Sequence, residues 1–282
     1  LGAMGTHPWA SYLDQEIIDT PHYQRLERDL GWVARRNQTW SLHVHVGVRG
    51  ADRAIAVCDH LRQHLPTLLG LSANSPFLDH RDTGLASVRS QIFTRTFPRC
   101  GIHEPFGDWE TYARFIELLQ RTGSIVESTQ LWWSVRPHHA FGTVEVRICD
   151  SQTDGNESLR LGALMMACVA QAARDYDDGR LPAPQRSREV EENLWRAIRY
   201  GMDGRLVDFE RAVEVEARAA VEALLSWTEP MCTELGLDVV PTALDAGNGT
   251  QRARAALEGG ATMKGIYRET VERTAATYPV AE

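Results

Sequence analysis

Along residues 40–48, WSLHVHVGV, apolar and polar positions alternate and then run apolar, the period-two signature of a β-strand. Gly47 within it lets another backbone approach closely. LWWSV at 131–135 and TVEVRI at 143–148 predict two further strands, and the proline and glycine of RPHHAFG between them predict a turn. Elsewhere the period is helical. Tyr23, Leu26, Leu30 and Val33 follow a loop in residues 7–36. Ile55, Val57, Leu61 and Leu65 give residues 51–71 an apolar face, with Asp52 in the first turn and Pro66 bending or breaking the helix. Residues 109–122 are a helix with Asp108 as N-cap, and residues 156–176 are a long apolar one.

Residues 71–93, LSANSPFLDHRDTGLASVRSQIF, read as a polar loop ending in an edge strand that carries Arg89. DDGRLPAPQRS is the best internal boundary. Beyond it the pattern is all-helical, over 189–200, 206–234 and 249–277, and G-N-G at 247–249 reads as a turn and cap. The fold class is therefore α+β. Residues 1–178 form a sheet-bearing catalytic part, and residues 179–282 a helical C-terminal part packed on it as one domain.

Composition narrows the function classes. The formal net charge of −8, from 30 basic and 38 acidic side chains, argues against a nucleic-acid footprint, which needs a clustered basic face. Five cysteines without a C-x-x-C pair predict reduced thiols and a cytoplasmic protein. No run is long and apolar enough for a membrane span, and no signal peptide is recognisable. No P-loop, dinucleotide fingerprint or nucleophile elbow occurs. Cys149 is best read as core packing.

The candidate chemistry lies on the strands. Residues two apart share a face, so His43 and His45 project together, as do Glu145 and Arg147, with Val144 and Val146 opposite. A satisfied structural histidine accounts for His-x-His alone, and a salt bridge on a sheet face accounts for TVEVRI alone. Both in one sheet favour a site, since imidazole and carboxylate from neighbouring strands suit a divalent metal.

The order GTHPW, HVHVG, LSANSPF with LASVR, then FGTVEVRICD resembles the carboxylate–amine ligases related to glutamate–cysteine ligase, the type-2 group. NLWRAIRYGMDG at 193–204 and the GNG loop fit as well, so the resemblance runs over about 5–274. It implies a mostly antiparallel, saddle-like sheet of glutamine-synthetase type packed against helices. It implies ATP with Mg²⁺ or Mn²⁺, an acyl phosphate made from an amino-acid or other carboxylate substrate, attack by an amine substrate, and release of ADP and phosphate.

By the same resemblance His45 and Glu145 are metal ligands, and Arg89 and Arg147 hold the phosphoryl group or the carboxylate. His43 supports the site, and Thr6 and His7 line the substrate side. The family's N-terminal glutamate-bearing strands are absent here. They are expected from an N-terminal segment of the same protein or a companion chain, pairing beside HVHVG or TVEVRI. A homo-oligomer stays open; nucleic acid and membrane are not expected partners. Two other classes also stay open: a catalytically inactive relative acting as a binding or scaffold protein, and a metal-dependent hydrolase.

Overall fold

The Glu145 strand, Thr143–Val146, is the middle of a three-stranded antiparallel sheet in a computed structural model that describes residues 1–278. The last four residues of the predicted 179–282 part lie outside the described residues. On one side of the middle strand runs Val44–Gly47, with His45 opposite Glu145; on the other runs Val135–His138, with Arg136 opposite Glu145. Alternation then divides the sheet. Val44, Val46, Val135, Val144 and Val146 turn to the core, where they join residues such as Val57, Cys58, Leu164 and Cys168. His45, Arg136 and Glu145, being cross-strand partners, share the other face.

The middle strand has both neighbours in place, so a further strand cannot pair beside TVEVRI. The outer edge of the His45 strand carries no partner strand among the described residues. The predicted pair 131–135 and 143–148 is also redrawn. Trp132–Trp133 pairs in parallel with Cys100–Gly101 in a separate ladder, and Arg136-Pro137, read as turn, is strand. Pro137 is tolerated because its strand is the sheet's edge, and the turn contracts to the four residues 139–142 with Gly142 at φ +65.

The predicted 51–71 helix is two helices, Ala51–Leu61 and Leu65–Ser72, joined by a 3₁₀ turn. Pro66 sits in the first turn of the second, where its missing N–H costs nothing. The segment read as a polar loop is largely buried, with Ser72, Asn74, Ser75, Phe77 and Ser87 at 3% exposure or less. Arg89 is not on an edge strand. It lies in the first turn of the helix Val88–Thr96, whose N-cap Ser87 accepts from the Ser90 amide. Caps at Asp108 and Asp154 start the helices Trp109–Arg121 and Gly155–Asp177.

Beyond the connector the chain is not all-helical. Ser187–Tyr200 leads into a β-hairpin, Arg205–Asp208 against Val213–Glu216, where a helix was predicted. The alternating VEVE wins over the helical period, and Asn193 fixes the hairpin to the helix. Its amide donates to the Val207 carbonyl and accepts from the Val207 N–H. The helix Ala217–Leu235 follows, and then Gly249–Glu258, whose N-cap Asn248 exchanges hydrogen bonds with Gln251 as a capping box. Gly259 and Gly260 separate that helix from Met263–Thr277. One apolar core draws on both sides of the connector, joining Leu65 and Leu68 to Leu194, Ile198, Val221 and Leu224.

Candidate active site

Glu145 is 2% exposed, and both its oxygens are engaged. Oε2 accepts from Arg136 Nε at 2.7 Å and Oε1 from Arg147 Nη1 at 2.5 Å. His43 Nδ1 and His45 Nε2 each stand 3.5 Å from Oε1. Burial alone would raise the Glu145 pKa, but the charges and hydrogen bonds of the two guanidiniums reverse this and hold it at about 2. Arg136 also donates to the Thr129 and Leu131 carbonyls, which pins the Val135–His138 strand to the preceding turn.

His43 is kept neutral. Burial and the nearby Arg147 and Arg89 charges, against an opposing Glu145, push its pKa to about 3. Arg147 Nη1 is 3.4 Å from His43 Nδ1, and an arginine can only donate, so Nδ1 is the acceptor. The imidazole proton is then on Nε2, 2.7 Å from Ser41 Oγ. His45 is oriented by Thr143 Oγ1, 2.9 Å from its Nδ1, and lies under His138 and Phe141, whose rings stack at 4.3 Å.

Arg89 stands behind this face. It is 3% exposed, and its Nη1 and Nη2 donate to the Ile148 and Arg147 carbonyls at 2.7 and 3.2 Å. Its nearest acid is Asp150, at 4.0 Å. Asp150 is fully buried. Its Oδ2 accepts from Ser75 Oγ and the Asn74 amide, and its Oδ1 from Ser87 Oγ. Burial raises its pKa despite Arg89 and these donors.

Arg89, Arg147 and His43 line one cavity of about 370 Å³, together with Phe93 and Trp132. The Nε atoms of both arginines are sealed without a hydrogen-bond partner. The structure thus brings together five of the seven residues singled out from the sequence: His43, His45, Arg89, Glu145 and Arg147. It does not bring Thr6 and His7 to them. Thr6 is buried, its hydroxyl donating to the Phe77 carbonyl. His7 accepts from the Trp9 and Ala10 amides through Nδ1 and faces a separate cavity of about 700 Å³ beside Tyr267 and Trp40.

Sequence reasoning missed Arg136 and Asp150. Arg136 was hidden in the apparent turn, and only cross-strand register discloses it. Asp150 had a signal, since it continues EVRICD two residues beyond the apolar Ile148. For a divalent cation the donor set is thin. Among the described residues no group of three or more His, Cys, Asp or Glu side chains could hold a metal ion. The one carboxylate on the face is saturated by guanidiniums. These residues alone do not fit Mg²⁺, which requires several hard oxygen ligands.

A family model described as glutamate–cysteine ligase family 2 matches residues 1–273. This chain belongs to glutamate–cysteine ligase family 2. It is 38% identical over 279 residues to a Rubrobacter xylanophilus protein provisionally named glutamate–cysteine ligase 2-2, covering 99% of this chain and 72% of that protein. A second protein of that organism, provisionally named 2-3, is 39% identical over 98% of this chain and 75% of its own length. A Solibacter usitatus relative, provisionally named glutamate–cysteine ligase 2, is 36% identical over 97% of this chain and 72% of its own length. Membership in this ligase family accords with the mixed α+β fold. No helix of the described residues is long and apolar enough to cross a membrane.

Proposed function

We propose that this member of glutamate–cysteine ligase family 2 is an ATP-dependent carboxylate–amine ligase working through an acyl phosphate. The γ-phosphoryl group of ATP passes to a carboxylate oxygen of the acid substrate and ADP leaves. The nitrogen of the amine substrate then attacks the acyl carbon, phosphate departs, and an amide is formed. Oxide is too poor a leaving group for direct amide formation, and phosphate corrects that. Moving a phosphoryl group between anions calls chiefly for fixed positive charge.

The observation that carries this reading is the pair of guanidiniums, Arg136 and Arg147, on the buried Glu145, with Arg147 and Arg89 lining one cavity. Arg147 Nη2 has no hydrogen-bond partner among the described residues and is the natural donor to an anionic ligand. Arg89 contributes its charge from behind. The sheet, apolar on one face and charged on the other, supports the saddle-like arrangement of glutamine-synthetase type. Free cysteines throughout the described residues suit the cytoplasm.

ATP would arrive with Mg²⁺ or Mn²⁺, which neutralises the phosphates when bound. His45 and Glu145 would be this chain's contribution to holding that metal, although both Glu145 oxygens already accept from guanidiniums. Because they do not suffice, further carboxylates are proposed from an N-terminal segment of the same protein or a companion chain. The outer edge of the His45 strand, without a partner strand among the described residues, supports this.

The saturation of Glu145 by two guanidiniums favours one second reading, a binding relative without turnover. A single assay separates the two. The protein is incubated with ATP, Mg²⁺, candidate acids and hydroxylamine. Hydroxamate with ADP supports the ligase; AMP with pyrophosphate indicates adenylation instead. Absence of any nucleotide product over a broad set of acids leaves the binding relative.

A further inference from the structure

Thr6 and Thr39 face each other in an isolated antiparallel bridge, and the Trp40 N–H donates to the Gly5 carbonyl at 2.9 Å. The long connection between them is thus tied to the body at one neck. Of residues 11–36 only Ala34 is buried. Among the described residues, every hydrogen bond of residues 11–37 is made within that segment. The segment still coheres. Trp32 Nε1 donates to Tyr12 Oη at 3.1 Å, the Arg36 guanidinium carbon lies 4.3 Å from the centre of the Tyr12 ring, and Arg35 pairs with Glu27. Its ion pair to the body, His22 Nδ1 with Glu127 Oε1 at 3.9 Å, joins two side chains that are more than half exposed, so it adds little.

The helix Pro21–Leu30 carries His22, Tyr23 and Leu26 on one face, and these line the cavity together with His43, Arg89 and Arg147. We propose that residues 11–36 are a flap hinged at the Thr6–Thr39 neck, which closes over an anionic substrate held by Arg147 and brings the Tyr23 hydroxyl to it as a second donor. Connections of this length in a compact domain are usually functional. A segment held mainly by its own contacts opens at small free-energy cost. The Tyr23 hydroxyl has no hydrogen-bond partner among the described residues, so no bond is lost when it turns to a ligand oxygen.

The identity of the ligand rests on the proposed ligase reading, which also supplies the reason for closure. Water attacks the acyl carbon of an acyl phosphate as an amine does. Phosphate then departs, the acid is regenerated, and ATP is hydrolysed without amide. A flap that opens to admit the acid and closes before phosphoryl transfer keeps that water out.

Hydrogen–deuterium exchange of the full chain, read by mass spectrometry, tests the flap. In the free protein the amides of Pro21–Leu30 should exchange at least about tenfold faster than those of the surface helix Trp109–Arg121. The probes are glutamate, inorganic phosphate, and glutamate with Mg²⁺ and the β,γ-imido analogue of ATP. At least one should slow Pro21–Leu30 about tenfold and leave Trp109–Arg121 unchanged. Tyr23→Phe should keep the free-state exchange and reduce this slowing severalfold. In the hydroxylamine assay it should raise the ADP released per hydroxamate formed, a ratio that loss of fold alone does not move.

Equal exchange of the two helices in the free protein, no slowing by any probe, or slowing that Tyr23→Phe does not reduce overturns the inference. Slowing by glutamate or phosphate with no ADP formed from ATP breaks only the ligase reading. ADP formed with glutamate while Pro21–Leu30 stays unprotected breaks only the flap.

Discussion

Glu145 and Asp150 lie on one stretch of chain, each buried and each near an arginine, yet their environments drive them in opposite directions. Glu145 touches two guanidiniums directly and is held ionised down to about pH 2. Asp150 touches two hydroxyls and an amide, with its arginine at 4.0 Å, and burial raises its pKa. The first anchors Arg147, whose guanidinium lines a cavity. The second is a latch that ties the segment around Ser75 and Ser87 to the end of the central strand. Buried charge alone does not mark a site; charge that opens onto a cavity does.

The largest expected effect tests this contrast head-on. Glu145→Gln leaves two buried cations without their counter-ion, at a stability cost of about 3–5 kcal/mol. It should also lower ligase turnover per folded molecule by at least ~10²–10³-fold. Asp150→Asn should cost about 1–3 kcal/mol, the penalty of a disturbed buried hydrogen-bond group, with turnover per folded molecule nearly unchanged. Denaturant melts combined with the hydroxamate assay measure both. Equal losses of turnover would erase the distinction.

The arginines give the next comparison. Arg147→Lys should reduce kcat about 10²-fold, because a lysine cannot reproduce the fork that spans Glu145 and the cavity. Arg89→Lys should act mainly on stability, by about 1–3 kcal/mol, since it loses donors to the Arg147 and Ile148 carbonyls. If kcat falls equally in both, Arg89 contacts the reacting groups.

The histidines sharpen it further. His45→Ala should raise the Mg²⁺ concentration for half-maximal activity about tenfold or more, and His43→Ala by less. The reverse order would exchange their roles.

The smallest effect is on pH dependence, away from the site. His103 is 4% exposed, stacked on Phe106, and burial pushes its pKa to about 4. The unfolded chain therefore binds this proton below about pH 6.5 and the folded chain does not. The stability owed to neutral His103 is complete above pH 6.5. It erodes as pH falls toward 4, by at most about 1.4 kcal/mol per pH unit. His103→Phe keeps the ring and should flatten the fall in denaturation midpoint between pH 6.5 and 4.5. An unchanged slope would place the titration elsewhere.

Strand and helix periods made the sheet and most helices legible in the sequence, because Val144, Val146, Leu61 and Leu65 obey them and the cap at Asp108 is local. The hairpin Arg205–Asp208 with Val213–Glu216 was not legible. A four-residue VEVE strand is too short to outvote a flanking helical pattern, and its hold on Asn193 is tertiary. In the site, His-x-His and Glu-x-Arg were visible through the two-residue period. Arg136 was not, because only the pairing register sets it opposite Glu145. The buried course of residues 72–77 was missed for a related reason: its polar side chains answer to Asp150, which lies far along the chain.

The Asn193 amide, which closes both hydrogen bonds of Val207, acts as a peptide group lent by a side chain. A two-stranded ribbon is marginal by itself in water, yet this one has a third backbone-like rung supplied by a helix. The Val207 N–H should therefore exchange with deuterium at the pace of the Ser187–Tyr200 helix, while amides at the 209–212 tip exchange early. Asn193→Asp, which removes the donor and keeps the acceptor, should release the outer strand and leave the helix protected.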